Sequence, residues 1–280
     1  MNAVSDEGQL SLLLQGIDIP PCPAILMDID RELRKETVDQ REIARLVARD
    51  VGLSGQLMQL ANSPALSGGR QFTSVIQALN VLGTQQVLNL VIGQLLKVAM
   101  EEGQSVSLER FWDSSAQTAR VSAEIARRLR CMRPDVAYTF GLFHDCGIPL
   151  IMKRFPQAKS VLALANGEEF HNFSAVEEAH LGTSHAIVGY FLAKRWNLPD
   201  FVAEAILHHH DYVVFEDKRC SEPVRNAIAV CVLAEHVIRL QHGGLADMEW
   251  VKAAPGAASQ LGISLVEVDD LIEDLLDWLH

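Results

Sequence analysis

The sequence predicts an all-α fold, a multi-helix domain carrying an N-terminal helical subdomain, and three observations predict it. Apolar residues recur at three- and four-residue spacing through nearly every segment of the 280-residue chain, the pattern of helices with one buried face. Helix-start signals stand ahead of several of these runs. The period-2 alternation of half-buried strands scarcely appears. Together they predict roughly twelve to sixteen helices and negligible sheet.

Taken in chain order, the opening Met1 to Gln9 has no basic region before its short apolar stretch. No run approaches the ~20 apolar residues of a membrane span, so the cytoplasm is the expected location. The prolines of Pro20, Pro21 and Pro23 break the chain before a first helical region. There Ile43, Leu46 and Val47, then Leu53, Leu57 and Leu60, form an apolar stripe, and Asp39 with Glu42 has capping-box spacing. Further breaks fall at Ser63-Pro64, Gly68-Gly69 and Gly103. The stretch Glu101 to Ser105, ahead of Phe111 and Trp112, is the best boundary. It divides the chain into an N-terminal helical part, 1–105, and a histidine-bearing helical part, 106–280.

In the second part Pro134 suits a first helical turn. Ser174 with Glu177 repeats the capping-box spacing, Asn226 to Leu240 is helical throughout, and Ser264 with Glu267 forms a third box. From Glu267 to Asp277 acidic residues interleave with Leu and Ile up to Trp278, which predicts a C-terminal docking helix with a charged outer face.

Composition narrows function. Hydrophobic residues at 49% and charged residues at 21% belong to a folded globular chain. Thirty-six acidic against 24 basic side chains leave a net charge of −12, which repels the phosphate backbone and anionic lipid. Non-specific nucleic acid and membrane are therefore not expected partners. The basic stretch Arg120, Arg127, Arg128, Arg130 and Arg133 reads as a solvated helix face rather than an anion site. Cys22, Cys131, Cys146, Cys220 and Cys231 are odd in number with no CxxC pair, and they read as small buried hydrophobes. No phosphate-binding loop, dinucleotide glycine pattern or nucleophile elbow occurs.

The string Gly141-Leu142-Phe143-His144-Asp145-Cys146-Gly147 carries the most chemistry, because it places an adjacent His-Asp pair inside an apolar helical segment. Burying both side chains is costly unless a partner or a metal satisfies them. Downstream lie His185, the run His208-His209-His210, and Glu235. Imidazole with carboxylate suits iron, manganese, zinc or magnesium. Neighbouring helical residues project ~100° apart, so at most two of the three consecutive histidines can face one site. The competing reading has His144 and Asp145 pairing with each other's helix neighbours and makes His185 a satisfied core histidine.

These residues, with IPPCPAIL from Ile19, ARDVGLSGQLMQLANSPAL from Ala48, VIQALNVLGTQQVLNLVIG from Val75, FWDSSAQTA from Phe111, GTSHAIVG from Gly182 and RWNLPDFVAEAILHHH from Arg195, carry a resemblance. The chain resembles the HDOD family, the HD-related output domains of bacterial signalling proteins. The resemblance implies an all-α HD-like core and a role as an output or binding module engaging a protein partner or a small signalling ligand. The alternative it implies is a metal-dependent phosphohydrolase centred on His144 and Asp145. In the catalytic relatives a first histidine, the His-Asp pair and a later aspartate bind metal. Here the first histidine falls at Ser114 and the aspartate at Glu235, while His185, His209 and His210 resemble the extra histidines of the HD-GYP branch. Ile148 replaces that branch's lysine, and no Gly-Tyr-Pro follows. The resemblance therefore implies a partial metal site of His144, Asp145, His185, His209, His210 and Glu235, with signalling favoured over catalysis.

Overall fold

A computed structural model describes residue 14 and residues 16–63, 67–101, 108–244 and 247–279, and among them every regular element is helical. The chain separates into two compact units, one of Pro20–Gln104 and one of Ser105–His280 together with Met1–Ile19. The boundary expected between residues 105 and 106, and the breaks at Pro64 and Gly103, lie outside the described residues.

The smaller unit contains α1 (Ala24–Leu33), α2 (Gln40–Ala48), α3 (Val51–Ala61), α4 (Val75–Leu82) and α5 (Thr84–Glu101). Each start has a local cause. Asp39 accepts from the Arg41 amide at 2.8 Å, Asp50 from Leu53 at 2.9 Å, and Ser74 from Gln77 at 3.4 Å. The box expected at Asp39 is only half formed, because Glu42 turns outward to Arg45 and the Asp39 amide donates instead to Glu32. Gly83 takes φ +84°, a left-handed turn that lets α4 stop and α5 begin at once. The apolar stripes read from the sequence meet in one core, where Ile29, Ile43, Val47, Leu57, Leu79 and Val91 are buried.

The larger unit is built around α13 (Glu222–Gln241), whose buried residues run from Val224 to Ile238. Around it pack α6 (Glu109–Leu129), α7 (Pro134–Phe143), α12 (Asp200–His208), α14 (Met248–Leu261) and α15 (Leu265–Leu279). Between them run α8 (Ile148–Arg154), α9 (Ala158–Asn166), α10 (Phe173–Leu181), α11 (His185–Arg195) and a 3-10 turn at Tyr212–Phe215. Pro134 opens α7 as expected. Ser264 and Glu267 cap α15 reciprocally, the Ser264 amide donating to Glu267 at 2.8 Å and the Glu267 amide to Ser264 at 3.3 Å. That helix buries Val268, Leu271, Ile272 and Leu275, each adding roughly 1.5–3 kcal/mol of apolar burial. The arginines of the basic stretch are surface groups. Arg127 and Arg128 pair with Glu124, Arg133 with Asp135, and Arg120 lies over Trp278.

Candidate metal centre

The His-Asp pair does not sit inside a helix, as its apolar surroundings suggested. α7 ends at Phe143, His144 is its C-cap, and His144 to Gly147 form the turn into α8. The helix end frees the Gly141 carbonyl, which accepts from His144 Nδ1 at 2.7 Å. His144 Nε2 therefore carries its lone pair or a second proton towards Asp145 Oδ2 and Glu235 Oε1, each 3.3 Å away. Gly147 lets this turn press against α11, since a Cβ there would lie 2.1 Å from the His185 carbonyl oxygen.

His185 begins α11, where Ser184 is the N-cap. The capping box expected for Ser174 and Glu177 is not formed. Asn172 caps α10 instead, accepting from the Ala175 amide at 2.7 Å, and Ser174 lies within the first turn. Glu177 is thereby freed for another task. Wholly buried, its Oε2 accepts from His185 Nδ1 at 2.5 Å and from the His185 amide at 3.2 Å.

At the other side α12 stops at His208, and the chain leaves the helix so that His209 and His210 turn inward while His208 stays half-buried. His209 Nδ1 donates to the Ile206 carbonyl at 2.7 Å. His210 Nδ1 donates to Glu249 Oε2 at 2.7 Å, and the same oxygen accepts from the Tyr212 hydroxyl at 2.7 Å. Lys252 pairs with Glu249 Oε1 at 2.5 Å and also donates to the carbonyls of Glu168 and His171.

With each Nδ1 bonded to an acceptor, the Nε2 atoms of His185 and His209 face Asp145 Oδ1, and that of His210 faces His185. His185 Nε2 lies 3.2 Å from that oxygen and His209 Nε2 3.5 Å from it. His185 Nε2 also lies 3.1 Å from His209 Nε2 and 3.2 Å from His210 Nε2. Donors at about 2.1 Å from one ion stand about 3.0 to 3.4 Å apart in octahedral or tetrahedral arrangement, so these spacings fit a bound cation. The three outer partners fix the tautomers as such a site requires.

The protonation pattern agrees. Burial opposes charge on His185, yet Glu177 and Asp145 outweigh it and push the imidazole up to about 10. Burial and the neighbouring His209 drive His210 down to about 3, against the pull of Glu249. Asp145, despite its burial, is held well below the usual carboxylate range, with His144 the leading cause. Burial would raise Glu249, but His210, Lys252 and Tyr212 hold it at about 2. A proton on His185 thus occupies the place a cation would take, and metal binding would displace it.

The six residues expected to form one site divide into two groups joined by Asp145. Asp145, His185, His209 and His210 place their ligand atoms within 4.8 Å of one another, and so, separately, do His144, Glu235 and Cys231. Two cavities reach these groups. One of about 170 Å³ is lined by Phe173, His210, Asp247 and Glu249, the other of about 270 Å³ by Phe111, Ser114 and His144, and both by Asp145, Glu235 and Arg239. Ser114 is exposed on α6. Glu177, Glu249, Tyr212 and Cys231 were not singled out as site residues by sequence reasoning. Glu249 and Tyr212 carry no spacing signal, whereas Cys231 stands one helical turn before Glu235.

Residues 19–212 match the HDOD domain family. That segment includes Asp145, His185, His209 and His210, while Cys231, Glu235 and Glu249 lie beyond it. Over 232 residues, 81% of the chain, the sequence is 24% identical to an uncharacterized protein of Treponema pallidum (strain Nichols), of which it spans 43%. An HDOD domain protein of unknown function from Geobacter sulfurreducens superposes with a TM-score of 0.71 at 27% identity, covering 96% of both chains. A proposed phosphohydrolase from Shewanella amazonensis SB2B superposes with a TM-score of 0.72 at 24% identity, covering 95% of this chain and 93% of its own, a likeness of fold.

Proposed function

The chain belongs to the HDOD family, and on that premise we propose that it is a cytoplasmic output module of bacterial signal transduction with a divalent metal in its His/Asp centre. Its cavities receive a small signalling ligand, or its surface a protein partner. The observation that carries the metal is the cluster of Asp145 Oδ1 with the Nε2 atoms of His185, His209 and His210, in which neighbouring donors stand 3.1 to 3.5 Å apart. Three imidazoles favour zinc, iron or manganese over magnesium, which prefers oxygen. Supporting the location, no helix among the described residues is long and apolar enough to cross a membrane. The net charge of −12 supports a partner other than nucleic acid or an anionic lipid surface.

When bound, the ion would act as a Lewis acid towards a phosphoryl oxygen or a water. The chain's own groups do the orienting: Glu177, the Ile206 carbonyl and Glu249 hold the three rings. Arg239, paired with Asp247 at 3.5 Å, faces both cavities beside Asp145 and offers a cation to an anionic ligand. A phosphohydrolase is the second reading, favoured by that combination of guanidinium and His/Asp cluster. Against it stands Ser114, which supplies no imidazole from α6.

Metal analysis of protein purified without chelator tests the first reading, followed by assays on cyclic dinucleotides, nucleotides and simple phosphate esters. Stoichiometric iron, zinc or manganese with no turnover is the expected result. Metal-free protein that also fails to take up these ions overturns the metal centre. Turnover on the order of 1 per second, lost in His144→Ala and Asp145→Ala, replaces the binding module by the hydrolase.

A further inference from the structure

The second group beside Asp145 has a composition that the sequence pattern did not suggest. His144 is 2% exposed and Cys231 2% exposed, so both are core residues by burial. A cysteine of purely structural role packs as a small hydrophobe among apolar neighbours. Cys231 instead has its sulfur within 4.8 Å of a His144 nitrogen and a Glu235 oxygen. Residues 231 and 235 are one turn apart on α13, so both side chains leave the same face of that helix. His144 is held by its Nδ1 bond to Gly141, which aims Nε2 at two carboxylates, Asp145 Oδ2 and Glu235 Oε1, each 3.3 Å away. Asp145 meanwhile turns Oδ1 to His185 and His209. One carboxylate thus faces two donor sets with its two oxygens.

We infer that His144, Cys231 and Glu235, with Asp145 Oδ2 as the bridging oxygen, form a second cation site of thiolate character. Cys231 supplies from α13 the donor that Ser114, on α6, does not. A set of one imidazole, one sulfur and two carboxylates selects borderline ions, zinc, ferrous iron or cobalt, over magnesium or calcium. Binding replaces the S–H bond by a sulfur–metal bond and releases the thiol proton to solvent. The inference rests on the metal-centre reading through the shared Asp145, but sulfur gives it a signature of its own.

The test uses the full chain, stripped with chelator, kept reduced and titrated with cobalt(II) without oxygen. Two equivalents should bind, and one should bring a sulfur-to-cobalt charge-transfer band in the near ultraviolet. The band should vanish in Cys231→Ser with the other equivalent retained, and persist in His185→Ala while the sulfur-free equivalent is lost. Glu235→Gln, at a partly exposed position, should keep the fold and weaken the band-forming equivalent by roughly tenfold or more through loss of a charged ligand. A band that survives Cys231→Ser, or cobalt binding with no band in the unmodified protein, overturns the second site and leaves the first intact. A single, band-forming equivalent untouched by His185→Ala overturns the first centre instead and sustains the second.

Discussion

Replacing Glu177 by glutamine changes one charge and almost no volume, at a residue whose side chain is 0% exposed. In the native protein its Oε2 accepts from both Nδ1 and the backbone amide of His185, at 2.5 and 3.2 Å. An amide can be turned into this corner in two ways. With its oxygen towards His185 it keeps both hydrogen bonds but withdraws a full negative charge. With its NH2 group towards His185 it drives the proton onto Nε2 and removes the lone pair that faces the centre. Outer-shell carboxylates of this kind affect metal affinity by roughly 10–100-fold. The same carboxylate also holds the competing proton, since it is the leading favourable charge raising His185 to about 10. A divalent ion feels the lost charge twice as strongly as a proton does, so the net effect lies at the low end, about tenfold or ~1.4 kcal/mol. Competition against a chromophoric chelator at pH 6, 7 and 8 measures it. Unmodified protein should gain affinity up to about tenfold per pH unit, because His185 must shed its proton. The variant should bind more weakly and with a shallower slope. Equal affinity and equal slope would refute the role given to Glu177.

Two further outcomes follow from the geometry. Gly147→Ala places a Cβ 2.1 Å from the His185 carbonyl oxygen, against backbone that cannot swing aside. It should cost at least ~2 kcal/mol by overpacking, read as a lower urea midpoint, and should weaken metal uptake as α11 is displaced. Metal-free protein should be most stable near pH 6.5, the unfolded-state value of histidine. His185, raised to about 10, contributes stability fully below that value and loses it as pH rises towards 10. His210, depressed to about 3, contributes above it and loses it as pH falls towards 3, a loss that Glu249 at about 2 reinforces below pH 4.5. Urea midpoints across this range check the shape, and His185→Gln should flatten its alkaline limb.

The helical fold was legible because burial faces repeat with the helix period, and Ile43, Val47 and Leu57 meet in one core for that reason. Caps were legible only where no competitor stood nearby. Ser264 and Glu267 form their box, whereas Ser174 and Glu177 have identical spacing but lose to Asn172, two residues earlier. The pattern records which residues are able to cap, and tertiary demand decides which one does. At the centre, His144, Asp145, His185, His209, His210 and Glu235 could be picked out by residue type. Their division into two groups could not, because it depends on which way each oxygen of Asp145 points. The sequence reads Cys231 as a small buried hydrophobe, since its one-turn spacing to Glu235 is common on any helix and a histidine 87 positions away leaves no local trace.

The first centre draws its donors from three separated places in the chain, the turn after α7, the start of α11 and the end of α12, and the ring-orienting Glu177 and Glu249 from two more. Chain segments that approach one another only in the folded state are clasped by whatever joins them. An ion there would bind the folded chain in preference to the unfolded one, and its concentration would become a variable of stability, worth about 2.7 kcal/mol at a hundred times the dissociation constant. A chelator would then act on this protein as a mild denaturant, and the melting temperature would serve as a gauge of metal supply.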